Sequence, residues 1–427
     1  MSDNASSLVV EMDETAKSLH RLVESGGGAT RESVRLVGAL AHSIPRRIRR
    51  LRENRRDTWR RWQSLVLSFD PRKLPFGSGL RFRLWRWRLV KLPRLVEMLA
   101  YHLGVMALFR CLNKGAKRVL TFHNVLPDSF CTYDLASGVT LPASKFEDII
   151  VRLKRRYCFS ADFDDPSTLT VTFDDGYRCQ FETAGGILVR LGVPGVVFVS
   201  GNVWGADSPG RALAVDRLLY WASYAPLSAL SEFAGVKVSD RAAFWHDVMD
   251  PAYRLDADAR GEAVFARADA LWPFERIVAS LDPEMARLRL TGPDPSRVDE
   301  LRHAGWRIGW HTQSHFPLAR LSDGDADREL TPADPACLEV PMSFPYGVSD
   351  SVSARDEAIA RAKGYPGAYS NLSCCNDREG DFFRLRFSPT GDKVGDEAML
   401  SGFRYFMECG RLLGRTGRAP RGEVKEA

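Results

Sequence analysis

From Lys117 onward, apolar runs that resemble buried strands alternate with amphipathic stretches of helical period. "RVLTF" precedes "PASKFEDIIVRLKRRY", whose apolar side chains share one side of a helix: Phe146, Ile149, Ile150 and Leu153. "TLTVTF", "VPGVVFVSG" and "RIGW" are further strand-like runs, with helical patterns between them. Because parallel strands need a crossover between them, this alternation predicts a parallel β/α architecture.

Two regions depart from the alternation. Residues 203–292 have mostly helical patterns, which predicts a helical insertion in the β/α region. Residues 1–94 have a different texture, and we interpret them as a partly disordered N-terminal extension. The remaining residues, 95–427, are long enough for one large catalytic domain.

The positive charge is concentrated in the extension. Residues 46–61 hold nine arginines against Glu53 and Asp57, which exceeds the net charge of +6 for the whole chain. Residues 80–94 then mix arginine with phenylalanine and tryptophan. This pattern favours contact with an anionic membrane surface through residues 46–94. Nucleic-acid binding is the weaker alternative, because no nucleic-acid fold motif accompanies the arginines.

The sequence also indicates a compartment. The N-terminus lacks a basic start followed by an apolar core, and no uncharged apolar run is long enough to span a bilayer. The best candidate, "LVEMLAYHLGVMALF" from Leu95, carries Glu97 and His102, so we interpret it as a buried or interfacial helix. The eight cysteines form no C-x-x-C pair and indicate scattered, reduced thiols. We therefore predict a cytoplasmic protein, peripheral on the inner face of the cell membrane.

Chemistry-bearing residues stand where strand-like runs end. Asp174 and Asp175 follow "LTVTF", and either a plain Asp-Gly turn or a functional site explains them. The second reading arises because loops after parallel strands build the active sites of β/α folds. His311 and His315, in "HTQSH", have an i, i+4 spacing that lets two imidazoles converge on one metal. One carboxylate with two imidazoles is a typical open site for a divalent metal.

Two further segments suit a hydrolase. In "SFPYG", Pro345 and Gly347 fix a turn that could direct the backbone N–H of Tyr346 at an oxyanion, although an ordinary turn is the alternative. His123, in "LTFHN", follows the first strand. A lone histidine at a strand end is usually structural, but an amide hydrolase needs a proton donor for its leaving nitrogen.

The ordered set "TFDDG", "HTQSH" and "FPYG" resembles the three leading motifs of the polysaccharide deacetylase (NodB-homology, carbohydrate esterase family 4-like) family. "RVLTFHNVLP" resembles the opening strand of members that begin with a Tyr-His or Phe-His motif. The resemblance covers about residues 117–390, without the helical insertion. It implies a distorted (β/α)7 barrel. It also implies a metal-dependent hydrolase that removes N-acetyl, sometimes O-acetyl or N-formyl, groups from sugars.

Carried over to this chain, the resemblance implies that Asp174 is the general base. Asp175, His311 and His315 would bind a divalent metal, which we predict to be zinc, with cobalt, nickel or manganese as alternatives. Tyr346 would supply the oxyanion N–H. The substrate would be an acetylated sugar, a polysaccharide or a lipid-linked sugar, in cell-envelope or exopolysaccharide synthesis.

The chain departs from the family pattern twice. Many members carry the proton-donating histidine in a late motif, whereas the last histidine here is His315, so His123 becomes the candidate acid. Many members also have arginine two residues before the proline of the third motif, where this chain has Ser343; Arg386 could compensate. An O-acetyl esterase and a catalytically silent, membrane-associated interaction protein are the alternative functions.

Overall fold

A computed structural model describes residues 92–131, 135–137, 139–165, 167–347, 351–373 and 383–409 of the chain. The predicted N-terminal extension, with its arginine-rich segment at 46–61, lies outside these residues except for its last three positions. The described residues fall into two compact units. One contains 92–112 and 397–409, and the other contains 113–396.

The larger unit is built on parallel strands, as the alternating pattern predicts. The strands described are β1 (Arg118–Phe122), β2 (Asn124–Leu126), β3 (Thr140–Pro142), β4 (Leu169–Phe173), β5 (Gly195–Val199), β6 (Arg307–Trp310), β7 (Met342–Ser343), β8 (Ala368–Ser373) and β9 (Phe383–Arg386). One sheet has the order β1-β4-β5-β6, another has the order β7-β8-β9, and β2 pairs with β3. All these pairings are parallel.

Phe387, directly after β9, joins the two larger sheets. Thr121 N donates to Phe387 O at 2.8 Å, and Phe387 N donates to Val119 O at 2.9 Å. The strands therefore follow the order β6-β5-β4-β1-β9-β8-β7. The edge strands β6 and β7 approach each other where His311 Nδ1 lies 2.7 Å from Ser343 O. The α/β class is confirmed, and closure into a barrel stays a prediction, because the pairings described do not link β6 to β7.

The central strands are buried along their whole length. Every residue of β1, β4 and β5 is buried, which requires cover on both faces of the sheet. One core cluster includes Val119, Val196, Phe198, Val340 and Tyr369, together with Ala161 and Phe163. The helix predicted over "PASKFEDIIVRLKRRY" forms, and the four apolar residues expected on its inner side are buried.

The helices account for most of the remaining chain. They are α1 (Leu92–His102), α2 (Val105–Leu112), α3 (Ala143–Lys154), α4 (Gly185–Arg190), α5 (Ala214–Tyr224), α6 (Leu227–Ala234), α7 (Arg241–Phe244), α8 (Asp250–Leu255), α9 (Glu262–Leu271), α10 (Phe274–Ser280), α11 (Pro283–Leu290), α12 (Pro295–His303), α13 (Asp323–Glu329), α14 (Ala354–Ala362), α15 (Lys393–Leu400) and α16 (Phe403–Cys409). Single π-helical turns occupy Gln180–Ala184 and Trp245–Met249. Asp294 caps α12, because its side chain accepts from Ser296 N.

The stretch predicted as a helical insertion is helical. Helices α5 to α11 lie within residues 203–292, between β5 and β6, and α12 then leads the chain back into the sheet. The insertion leaves the sheet where β5 ends, so its residues start at the same edge as the loops after β4 and β6. This placement makes the insertion a neighbour of any site at that edge.

The smaller unit contains α1, α2 and α16. Among the described residues, no single helix is long and apolar enough to cross a membrane. Helices α1 and α2, bent by 83° at their junction, meet the length and composition test only as a pair.

Candidate active site

The predicted site residues lie at one edge of the sheet. His123 follows β1, Asp174 and Asp175 follow β4, and His311 follows β6. Tyr346 follows β7 by three residues. The carboxyl ends of parallel strands share one edge, so segments far apart in sequence meet there.

Asp175, His311 and His315 bring one carboxylate oxygen and two ring nitrogens together. Asp175 Oδ1 lies 3.6 Å from His311 Nε2 and 3.5 Å from His315 Nε2. The donor atoms all lie within 4.8 Å of one another. Ligand atoms about 2.0–2.2 Å from a tetrahedral zinc ion are roughly 3.3 Å apart, so this spacing suits one shared cation.

The surroundings of these side chains fit a divalent metal. Asp175 Oδ1 is buried without a hydrogen-bond donor among the described residues, which is a costly position for a carboxylate oxygen. Burial raises the pKa of Asp175 to about 7 and lowers the pKa of His311 to about 3. Burial also lowers the pKa of His315. Neutral imidazoles beside an unsatisfied carboxylate form a donor set that a cation would complete.

Asp174 has a different environment from its neighbour. Arg386 Nη1 donates to Asp174 Oδ1 at 2.7 Å, and Arg386 Nη2 donates to Asp174 Oδ2. Burial alone would raise the pKa of this carboxyl group, but the Arg386 guanidinium, with His311 and His123, holds that pKa well below its usual range. Asp174 is therefore ionised at neutral pH.

Arg386 also contacts the position where the family resemblance expects an arginine. Its Nη2 donates to Ser343 Oγ at 2.8 Å, and Ser343 O lies 2.7 Å from His311 Nδ1. The second contact orients His311 so that Nε2 faces Asp175. Arg386, only weakly indicated by the sequence, thus takes a place in the site beside a serine.

His123 is the most accessible of the polar side chains around Asp174. Its side chain is 19% exposed, and its Nε2 lies 3.9 Å from Asp174 Oδ2. His311 Nε2 lies at the same distance from that oxygen, with a side chain only 1% exposed. Asp174 therefore has two histidine neighbours: His311, which is buried and belongs to the candidate metal triad, and His123, which is accessible to solvent or substrate.

Tyr346 packs against the site through its ring. The centroid of its ring lies 4.8 Å from that of His315, and the Arg254 guanidinium lies 4.8 Å from the Tyr346 ring. Tyr253, in the helical insertion, donates its hydroxyl to His315 O at 3.4 Å. The structure brings Tyr346 to the predicted site, and the role of its backbone N–H stays a prediction.

Backbone strain is concentrated in the same place. Among the described non-glycine residues, positive φ angles occur at Asp175 (80°), Thr312 (67°), His315 (61°), Tyr346 (60°) and Arg260 (54°). Such angles cost free energy and persist where surrounding contacts enforce them, which is typical of functional sites. Gly176 follows with φ of 91°, and a Cβ there would lie 2.9 Å from Val199 Cγ1. Position 176, the last of the Asp-Asp-Gly segment, therefore requires glycine.

Sequence reasoning missed the residue that holds the histidine loop. Glu329, at the end of α13, is buried, and its carboxylate accepts from Ser314 N at 2.8 Å and from Ser314 Oγ at 2.7 Å. Arg260, from the insertion, donates to the same carboxylate at 2.8 Å. The sequence carries no signal for these contacts of Glu329, because a lone glutamate at a helix end usually faces solvent.

A second missed group connects the insertion to the aspartate loop. Arg289 Nη2 donates to Asp216 Oδ1 at 2.7 Å, and Tyr177 Oη donates to Asp216 Oδ2 at 2.6 Å. The Arg289 guanidinium also lies 4.9 Å from the Tyr177 ring. Because Tyr177 follows Gly176 directly, this buried ion pair fixes the end of the turn that carries the two aspartates.

No protein-family model matches the sequence, and a comparison with curated proteins finds no match. Solved structures are similar over about two thirds of the chain. The Streptococcus pyogenes deacetylase PplD, in complex with acetate, has a TM-score of 0.38 and 11% identity, over 67% of this chain and 97% of that chain. IcaB from Ammonifex degensii has a TM-score of 0.38 and 17% identity, over the same shares of the two chains. BC0361, a polysaccharide deacetylase from Bacillus cereus, has a TM-score of 0.40 and 12% identity, over 66% of this chain and 68% of that chain.

Proposed function

We propose that this chain is a metal-dependent hydrolase that removes N-acetyl or N-formyl groups from a sugar or polysaccharide, in cell-envelope or exopolysaccharide biosynthesis. One observation carries the proposal. A metal-fitting triad of Asp175, His311 and His315 lies beside a second carboxylate, Asp174, that is ionised and held by Arg386. Metal-assisted hydrolysis of an amide uses a metal ion that activates water and the carbonyl group. It also uses a base that does not itself bind the metal.

The proposed roles follow from the surroundings of each side chain. A divalent metal held by Asp175, His311 and His315 would supply a Lewis acid that polarises the acyl carbonyl and makes water more acidic. Asp174 accepts the proton of the attacking water as the new C–O bond forms. The backbone N–H of Tyr346 donates to the carbonyl oxygen as negative charge develops there.

Collapse of the tetrahedral centre breaks the C–N bond and leaves the amine of the sugar. His123 donates the proton that this nitrogen needs, since its Nε2 lies on the accessible side of Asp174. The products are the free amino sugar and the carboxylic acid of the acyl group. The reaction breaks the C–N bond and an O–H bond of water and forms a C–O and an N–H bond, so water is the only co-reactant.

The test is acyl release by the full-length protein. The purified chain is stripped of metal and reloaded with zinc, cobalt, nickel or manganese, and each form is incubated with N-acetylated, N-formylated and O-acetylated sugars, free and lipid-linked. We expect release of acetate or formate from an amide substrate by at least one metal form. The Asp175→Ala variant should lack this activity. His246→Ala, which removes an exposed histidine of the insertion, is the matched control and should retain it.

Other outcomes would select the alternatives. Release from esters alone would make the chain an O-acetyl esterase. Tight metal binding without turnover on any amide or ester would contradict the hydrolase proposal and favour the silent interaction protein.

A further inference from the structure

Helices α1 and α2 expose apolar side chains, whereas Glu97 is buried and Arg94 and Arg110 are only partly exposed. Exposed large apolar residues recur along both helices and in the turn between them: Leu92, Leu95, Met98, Leu99, Leu103, Leu108 and Leu112, with Leu103 in the turn reaching 76% exposure. The charged residues of 92–112 are Glu97, which is buried, and Arg94 and Arg110, which are half-buried. This is the reverse of a helix that faces water, whose outer side carries the charges.

The two buried acids of this unit, Glu97 and Glu397, are paired with arginines. Arg404, from α16, donates Nε to Glu97 Oε1 at 2.5 Å and Nη2 to Glu97 Oε2 at 2.8 Å. Glu397 is 3% exposed and accepts from Arg110. Both acids are buried, so their charge lies inside the unit, and the arginines that pair with them are partly exposed. Phe406 and Met407, also exposed, extend the apolar exterior onto α16. We call the exposed apolar side chains of α1, α2 and α16 the apolar face.

The helices of the apolar face are too short to cross a bilayer singly, and their length suits a position in the membrane interface. α1 has 11 residues and would be about 16 Å long, which is about half the thickness of a bilayer core. The bend of 83° before α2 redirects the chain within that length. Two short helices joined at this angle suit the plane of a membrane, with their exposed apolar side chains in its outer part.

The sequence directly before Leu92 indicates which kind of partner the apolar face binds. Residues 80–91, "LRFRLWRWRLVK", carry five cations, and Trp85 and Trp87 stand between them. Cations bind anionic headgroups, and indole rings favour the interface between headgroups and hydrocarbon. These five cations favour an anionic lipid surface over a second copy of the chain, which carries the same positive charge.

We propose that the apolar face inserts into the outer part of an anionic lipid bilayer, with the cationic and aromatic residues 80–91 at the headgroups. Leu99, Leu103 and Leu108 enter the hydrocarbon, and the buried Glu97 and Glu397, paired with Arg404 and Arg110, keep their charge inside the protein. The proposal concerns attachment and is independent of the proposed catalysis, so either can fail alone.

The test is vesicle sedimentation with full-length protein. Vesicles contain phosphatidylcholine with or without about one third phosphatidylglycerol. We expect binding to anionic vesicles that persists in part at 1 M NaCl, because the apolar contribution is not screened by salt. The triple variant Leu99→Glu/Leu103→Glu/Leu108→Glu should lower the partition coefficient at least about tenfold at 1 M NaCl.

The chain offers a matched control. Val189, Val236 and Leu255 are equally exposed apolar residues of the larger unit. The variant Val189→Glu/Val236→Glu/Leu255→Glu adds the same charge and should bind vesicles as the wild type does. Circular dichroism and thermal unfolding of both triple variants check that the fold is kept, as is expected for changes at exposed positions.

Three results would overturn the proposal. The first is equal loss of binding in both triple variants, and the second is unchanged binding of the α1–α2 variant at 1 M NaCl. The third is a wild-type dimer in light scattering that the α1–α2 variant converts to monomer, with no vesicle binding by either. That result would assign the apolar face to a second copy of the chain.

Discussion

Asp174 and Asp175 are neighbours in sequence with opposite electrostatic surroundings. Asp174 faces the guanidinium of Arg386, which holds its pKa low, whereas burial raises the pKa of Asp175 to about 7. Asp175 has φ of 80°, which turns its carboxylate away from that of Asp174 and toward the two imidazoles. An ionised carboxylate paired with arginine is a weak base. It suffices only where a metal has already made the attacking water acidic.

We expect the two aspartates to separate by phenotype. Asp175→Ala removes a proposed metal donor, so the purified variant should lose bound metal, as should His311→Ala and His315→Ala. Asp174→Asn should keep the metal and lose turnover by a factor of about 10² to 10⁴ if Asp174 is the base. Metal analysis by mass spectrometry, with acyl-release rates, measures both effects. Equal metal loss in Asp174→Asn and Asp175→Ala would contradict the division of roles.

His123 should act as the acid although it lies far from the metal histidines in sequence. His123→Ala should keep the metal and lose amide hydrolysis, because its Nε2 is near Asp174 and outside the donor triad. The loss should be smaller on an aryl acetate, since a good leaving group needs little protonation. Rates on the two substrates measure this difference. Normal amide turnover in His123→Ala would show that another group supplies the proton.

Arg386 should set the acid limb of the pH profile. It lowers the pKa of Asp174, so a weaker partner allows that pKa to rise and Asp174 to bind a proton at a higher pH. In Arg386→Lys, the acid limb of kcat/KM should therefore move up by about 1 to 3 pH units, with activity lost first at low pH. Arg361→Lys, at an exposed helix position, is the control and should leave the profile unchanged. A shift to lower pH would contradict the role given to Arg386.

At the scale of elements, the strands and their end residues could be predicted, whereas the contacts between elements could not. β1, β4, β5 and β6 are apolar runs whose burial on both faces leaves a plain sequence signal. β8 was missed because "AYSNLS" alternates weakly and contains polar residues. Residues such as Glu329 and Asp216 bind partners 15 to 73 positions away, a separation that no local pattern encodes.

The same limit applies to backbone conformation. Pro345 and Gly347 predict a turn, and a turn is there, but nothing in "HTQSH" indicates positive φ at both Thr312 and His315. The i, i+4 spacing suggests a helix or a tight loop, and the structure has the loop, which the Glu329 carboxylate and Thr312 Oγ1 hold in place. The residue types of the site were thus predictable, and the means by which the chain orients them were not.

The insertion should depend on its buried ion pair. Arg289→Met leaves Asp216 buried without its cation and should lower the free energy of unfolding by about 3–5 kcal/mol. Replacing both, as Asp216→Leu/Arg289→Met, should cost less, because no buried charge remains. Arg276→Met, exposed in α10, should change it by less than about 0.5 kcal/mol. Urea unfolding measures all three. A double variant no more stable than Arg289→Met would show that packing around Tyr177, and not the uncompensated charge, dominates.

At the scale of the whole molecule, the arginine-rich segment 46–61 shortly precedes the apolar face in the sequence. The nine arginines of residues 46–61 exceed the net charge of +6, so the rest of the chain is close to neutral. The apolar face begins about thirty residues later, at Leu92. Electrostatic attraction to anionic lipid acts over roughly 10 Å at 0.1 M salt and is screened at higher salt, whereas apolar insertion is not. The two contributions should therefore be separable by ionic strength.

We expect a full-length variant with all nine arginines of residues 46–61 changed to glutamine to lose binding only at low salt. Each cation near an anionic leaflet contributes about 1 kcal/mol, so at 0.1 M NaCl the variant should bind anionic vesicles at least about 100-fold more weakly than the wild type. At 1 M NaCl the two proteins should bind equally, through the apolar face. Sedimentation across a salt series measures both limits. Equal binding at 0.1 M NaCl would mean that these arginines form a solvated segment, and that residues 80–112 account for attachment without them.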